Sequence, residues 1–238
     1  MLEQVAGPTT LPTSLRTLSS SSDIVKKVFE ARLEGKDALK SLDLKDIALS
    51  EMAARMEAAI VSDTPFRERM VAFWSNHFTV SSTRFPLAVL AGAYEREAIR
   101  PYVFGRFEDM VLAVVHHPAM LQYLDNATSI GPHSPAGQRS RRGLNENLAR
   151  EVLELHTLGV GGGYTQTDVT EFAKILTGWS HGGLRTRKAI RVAGPIHGHF
   201  EFLPLAHEPG PKMLLGRRYE QDGEREGIAA LRAIARHP

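Results

Sequence analysis

Apolar residues recur every three or four positions along the first half of the chain, and this spacing predicts helices with no strand among them. Residues typical of helix ends punctuate the pattern. Gly35 stands where the first helix should stop, and Thr64 and Pro65 have the types of an N-cap and a first helical position. The predicted helices of this half cover 23–34, 44–61, 65–80, 85–99, 107–115 and 120–124.

The second half of the chain also shows helical spacing of its apolar residues, but one segment has a different pattern. Residues 144–158 and 224–236 read as helices, and Thr165 with Asp168 fits a capping box that opens another. Alternation at period two predicts a small β-hairpin or ribbon near residues 199–215. The expected fold class is therefore mainly α, an irregular multi-helix protein with one minor β element.

Chain length and local composition set the expected domain limits. A chain of 238 residues can bury one sizeable core, so a single helical domain over residues 22–238 is expected. Residues 1–21 are rich in Ser, Thr and Pro, which favours an irregular N-terminal arm. The last predicted helix is followed at once by His237 and Pro238, so we expect a domain truncated at its C-terminus.

Composition excludes several classes of protein. The chain has no cysteine, which excludes disulfides, thiolate metal sites and a cysteine nucleophile. Its net charge of +2 gives no strong field for nucleic acid, and the loop arginines Arg139, Arg141 and Arg142 lack interleaved aromatic residues, so nucleic-acid binding is not expected. No transmembrane segment or signal peptide is predicted.

One polar helix is the main candidate for a site. At about 100° per residue, Asn147, Arg150, Glu151 and Glu154 share a sector of the 144–158 helix, whereas His156 points elsewhere. This sector also contains Leu144 and Leu158, and leucines seldom mark an outward face. We therefore expect the four polar side chains to be partly buried and hydrogen-bonded to one another, with pairing that offsets the cost of burial.

The partner of the two glutamates is left open. Glu151 and Glu154 could pair with Arg150, with a histidine such as His77 or His207, or with a divalent metal ion. The alternative is a solvated face supported by pairs between Arg150 and neighbouring glutamates.

Two histidines lie on other segments. His77 follows Phe73 and Trp74, and such a histidine is more often a packed core residue than a ligand; His207 lies in a predicted turn beside Glu208. Trp74 and Phe78 are one helical turn apart and are predicted to be buried. The opposite side of that helix is predicted to carry three polar residues, Arg67, Glu68 and Ser75.

A longer motif joins these segments. The string from Asn145 to Gly159, followed by Gly163–Val169 and Leu176–Trp179, resembles the bacterial domain-of-unknown-function 1800 family. The resemblance extends over about Pro65 to Gly216, and it departs from the family where Glu208 replaces the usual Asp. It implies an exported or periplasmic role, because members are often encoded beside exported proteins, and it implies no activity.

Two functions remain open. The first is a binding or accessory protein of the cell envelope, with a possible protein partner there. The second is a metal-assisted or acid–base enzyme, hydrolase-like, that draws on His77, Glu151, Glu154, His156 and His207. Convergence of these side chains on one concave site would favour the enzyme, and dispersal would favour the binding protein.

Overall fold

The computed structural model describes residues 11–83, 85–139, 143–182 and 197–237. The chain divides into two compact units, Met1–Arg106 with Gly182–His199, and Phe107–His181 with Phe200–Pro238. The expected single domain over 22–238 stays a prediction, and residues 1–10 of the expected arm lie outside the described residues.

The first unit consists of helices, as its apolar spacing predicts. Their bounds are α1 Thr13–Arg16, α2 Ser21–Glu34, α3 Lys36–Ser41, α4 Leu44–Val61, α5 Pro65–His77 and α6 Leu87–Tyr94. Helix α6 continues into the π-helical turn Glu95–Ile99. The start of α2 is capped by Ser20, whose hydroxyl accepts from the backbone N–H of Asp23.

Helix α1 lies within the segment that was expected to be irregular. Its Leu15 is buried in a small cluster with Ala54 and Ala58 of α4. This contact gives the short helix an apolar partner, which local composition alone does not indicate.

The second unit contains the remaining helices and all the described strands. The helices are α7 Phe107–His116, α8 Pro118–Tyr123, α9 Asn147–Glu151, α10 Gln166–Ile175 and α11 Glu224–Ala235. Helix α9 continues into a second π-helical turn, Val152–His156. The predicted capping box is confirmed at α10, where Thr165 and Asp168 exchange side-chain to backbone hydrogen bonds.

The strands are β1 Trp179–His181, β2 Phe200–Phe202, β3 Lys212–Leu214 and β4 Arg217–Tyr219. Strands β2 and β3 lie in the predicted β segment, which confirms a mainly α fold with small hairpins. Their pairing differs from a single ribbon, because β2 is antiparallel to β1 and β3 is antiparallel to β4. No described helix is long and apolar enough to cross a membrane.

Helix α11 closes the core of the second unit. Leu231 and Ile234 are buried, and Gly227 lies against the buried ring of Trp179, where any Cβ would overlap the indole. Leu231 and Ile234 therefore mark the face of this helix that the fold buries.

Candidate functional site

Arg150 of α9 is the centre of a half-buried polar network. Its guanidinium donates to Glu154 Oε1 at 3.2 Å, to Glu146 Oε2 at 3.2 Å and to Gln166 Oε1 at 2.8 Å. Thr170 of α10 donates to Glu146 at 2.6 Å, and this bond, with those from Gln166 and Arg150, holds the pKa of Glu146 below its usual value despite some burial. The network joins the two helices, and its internal bonds satisfy the arginine.

The other two residues of the predicted cluster stay outside this network. Asn147 is exposed, and among the described residues its side chain makes no hydrogen bond. Glu151 is half-buried without a described hydrogen-bond partner; burial, with the charge of Glu154, raises its pKa. The prediction of mutual pairing is right for Arg150 and Glu154 and wrong for Asn147 and Glu151.

The π-helical turn explains a second difference. Leu155 is 56% exposed, whereas His156, the next residue, is only 4% exposed. A π-helical turn contains more residues than an α-helical turn, so it rotates every later side chain away from the 100° spacing that the prediction assumed. His156 therefore packs inside the second unit, and Glu154 pairs at its surface with Arg150.

His207 belongs to a separate buried cluster. Its Nδ1 lies 2.9 Å from the carbonyl oxygen of Thr177, and its Nε2 lies 3.1 Å from Glu226 Oε1. Lys212, only 2% exposed, donates to the same Glu226 oxygen at 2.8 Å and to the carbonyl of Glu208 at 2.6 Å. Burial alone would raise the pKa of Glu226, but the hydrogen bonds from His207 and Lys212 outweigh it and lower that pKa.

Glu208, next to His207, anchors a loop. Its carboxylate accepts from the backbone N–H of His133 at 2.9 Å and lies 2.5 Å from His133 Nδ1. Gly131 passes so close to Glu208 that a Cβ would overlap it. The result is a buried carboxylate that orients an exposed imidazole. His133 lies in no motif that the sequence analysis singled out.

His77 lies in the first unit, apart from the other six candidates. Its half-buried ring meets those of Trp74 and Phe78 edge-on, at centroid distances of 5.5 and 4.6 Å, which is a packing role. Phe78 is buried as predicted, but Trp74 is only half-buried. Arg67 and Glu68, placed on the polar side by the prediction, are buried; Glu68 is held there by a bidentate pair with Arg100, at 2.8 Å for each bond.

The candidate site residues therefore lie in separate parts of the structure. Arg150, Glu154 and their neighbours pair at one surface, His207 pairs with Lys212 and Glu226 in the interior, and His77 belongs to the first unit. Within the described ranges, no three His, Asp or Glu side chains are grouped so that they could hold a metal ion.

Helix α4 exposes several large apolar side chains. Leu49, Met52, Met56 and Ile60 lie within one sector of this helix at 100° per residue, and Met56 and Ile60 are 60% and 78% exposed. We call these four side chains the outer face of α4.

The opposite, inner face of α4 carries Glu51, Ala54 and Ala58, all buried. The helix thus presents large apolar side chains outward and small ones inward. A contiguous apolar patch of this kind on a folded surface usually marks an interaction site.

The chain belongs to a protein family whose model matches nearly its whole length. The match is to the family described as Protein of unknown function (DUF1800), and it covers residues 3–238, well beyond the segment 65–216 that carried the resemblance. No curated protein and no solved structure matches the chain.

Proposed function

We propose that this protein is a binding or accessory protein of the bacterial cell envelope, and that the outer face of α4 receives a protein partner there. The exposed apolar side chains of this face carry the proposal. Leaving Leu49, Met52, Met56 and Ile60 in water costs free energy, and a partner that covers them would recover about 25 cal/mol for each Å² of apolar surface removed. The envelope location rests on the family resemblance.

The dispersal of the polar candidates supports the same function. Glu154 pairs with Arg150 at the surface of the second unit, whereas His207 pairs with Glu226 in its interior, so the two side chains belong to different networks. A binding protein needs no convergent acid, base or nucleophile, and its polar networks serve to hold the fold.

Site-specific photocrosslinking in intact bacterial cells tests this proposal. A benzophenone amino acid placed at Met56 or Ile60 should crosslink to an envelope protein. The same group at Lys27, an exposed position on α2, is the control. Crosslinking at Met56 no stronger than at Lys27 would reject the docking face, and a partner found only in the cytosol would reject the envelope location.

One observation favours the enzyme as a second candidate. Glu208 fixes the Nδ1 edge of His133, and the side chain of His133 is 76% exposed, so its Nε2 edge is available to a substrate in the manner of a general base. An acid–base hydrolase of this kind would hydrolyse an activated ester such as p-nitrophenyl acetate.

The matched variants for that test are His133→Gln and His199→Gln, because both histidines are exposed. The acid–base hypothesis expects the first variant to lose the hydrolysis catalysed by the protein and the second to keep it. Equal rates in both variants would eliminate His133 as a base.

A further inference from the structure

A polar cleft in the first unit is separate from the outer face of α4. It has a volume of about 470 Å³ and is lined by side chains of α4, α5 and α6 and of the segments that follow α5 and α6. Small-molecule sites commonly span about 300–1,000 Å³, so the cleft is large enough for a ligand of that class.

Glu95, at the start of a π-helical turn, forms one wall of the cleft. Its Oε2 lies 2.6 Å from Arg55 Nε and accepts from the Ser75 hydroxyl at 3.4 Å, while its Oε1 accepts from Arg100 at 3.0 Å. Arg100 in turn pairs with Glu68. Two arginines and two glutamates therefore neutralise one another, and the wall offers no net charge to attract an ion.

Other polar groups of the lining remain available. Among the described residues, the side chains of Asn76 and Thr79 make no hydrogen bond, and Arg55, whose side chain is 53% exposed, pairs with Glu95 through its Nε. An amide, a hydroxyl and the two terminal nitrogens of a guanidinium can together donate and accept hydrogen bonds. They suit a ligand rich in hydroxyl groups.

Phe73 adds an apolar surface to the same cleft. Its side chain is 58% exposed, and its ring meets that of Trp74 edge-on at a centroid distance of 5.1 Å. The face of an aromatic ring attracts polarised C–H groups, such as those on one face of a sugar ring.

We propose that this cleft binds a neutral saccharide, with the sugar ring against Phe73 and its hydroxyl groups bonded to Asn76, Thr79 and Arg55. The internal pairing of Glu95 disfavours an anionic or cationic ligand. The combination of an aromatic surface with unpaired polar groups disfavours a purely apolar one. This binding function goes beyond the docking of a protein partner, since it uses different residues.

Titration calorimetry with four probes tests the chemistry of the ligand. Methyl glucoside, glucuronate and glucosamine share one ring type and differ in charge, and cellobiose tests a second ring. We expect the neutral sugars to bind the whole chain and the two charged sugars to bind several-fold more weakly. Failure of both neutral sugars to bind at millimolar concentration, or equal binding of a charged one, would overturn the proposal.

Variants locate the site. Thr79→Ala and Asn76→Ala should each weaken binding of the neutral sugar about fivefold, as expected when one hydrogen bond is lost, and Phe73→Ala should weaken it at least as much. Thr167→Ala is the matched control, because Thr167 is an exposed threonine of the second unit, and it should bind as the natural chain does. Unchanged binding in both Phe73→Ala and Asn76→Ala would place the sugar elsewhere and reject the cleft.

Discussion

Helices α4 and α11 both carry large apolar side chains at helical spacing. Helix α11 buries the side that carries them, whereas α4 buries the opposite side. In α11, Leu231 and Ile234 face the core, as amphipathic spacing predicts. In α4, Met56 and Ile60 face outward, and the buried side consists of Glu51 and two alanines. Apolar periodicity thus predicts that a segment is helical, but it does not decide which side of the helix finds a partner inside the chain.

The residues on the inner face of α4 explain why this helix can bury the side opposite to its large apolar side chains. Glu51 forms a buried ion pair with Arg96, and burial raises the pKa of Glu51 although the hydrogen bond from Arg96 opposes this. A Cβ on Gly92 of α6 would overlap the Glu51 side chain. Small residues therefore allow the two helices to approach closely, and a charged pair is enclosed where large apolar side chains would not fit.

The largest loss of stability should follow when the buried ion pair between Glu226 of α11 and Lys212 is broken. Replacing Lys212 by Met keeps most of the side-chain volume but leaves the buried carboxylate of Glu226 without its cation. We expect a loss of roughly 3–5 kcal/mol in the free energy of unfolding, measured by urea titration. The double variant Lys212→Met with Glu226→Gln should regain a substantial part of the lost stability. A loss below about 1 kcal/mol in the single variant would show that the ion pair is not enclosed.

A direct comparison of the two helices gives the next effect. Leu231→Ala creates a cavity in the second unit and should cost about 3 kcal/mol, whereas Met56→Ala should change stability by less than about 0.5 kcal/mol. Both variants remove a large apolar side chain from a helix, so they form a matched pair in the same unfolding experiment. Equal losses would mean that the outer face of α4 is covered within the folded chain.

Acid should weaken the second unit through a buried histidine. Burial, reinforced by the nearby His117, lowers the pKa of His181 from 6.5 to about 4, although Glu201 acts in the opposite direction. The folded protein disfavours the protonated ring. The stability that depends on the neutral ring of His181 is therefore complete above pH 6.5, declines below that pH, and is fully lost once the pH has fallen through about 4.

Between about pH 7.5 and about pH 5 the loss should amount to roughly 2 kcal/mol. The variant His181→Asn should lose correspondingly less stability over that interval when both proteins are unfolded by urea at each pH. An identical pH dependence in the two proteins would mean that the ring is hydrated.

The smallest change in stability is expected for a substitution on the outer face of α4. Met56→Lys places a charge on the outer face of α4, where water already surrounds the side chain. Thermal unfolding of the isolated protein should change by no more than is usual for a surface substitution, about 0.5 kcal/mol. Crosslinking at Ile60 should nevertheless fall sharply, because the docking surface now carries an unpaired charge. A large loss of stability would instead assign this methionine to the core.

Much of the local structure followed from the sequence because its signals act over one or two helical turns. The bounds of α4 were predicted to the residue, and the capping box at Thr165 was predicted with its partner Asp168. The polar helix predicted over 144–158 begins at Asn147 and continues to His156. Arg150, one of the three partners left open for Glu154, is the one that pairs with it, since both residues lie on adjacent turns of one helix.

Features that depend on distant residues were missed. The pairing of β1 with β2 joins residues 179–181 to residues 200–202, and the cluster of His207 with Glu226 joins two elements that no local pattern relates. The π-helical turn after Glu151 also escaped prediction, because α-helical spacing was assumed throughout.

The sequence by itself determined most of the helical segments, where several of them begin and end, and that the chain belongs with a family of shared motifs. Only the tertiary structure decided which face of α4 is exposed, which partner each buried charge receives, and that His133 is oriented by Glu208. The physical reason is one of range. Helix propensity, caps and spacing act between near neighbours, whereas burial and charge pairing depend on which surfaces the whole chain brings into contact.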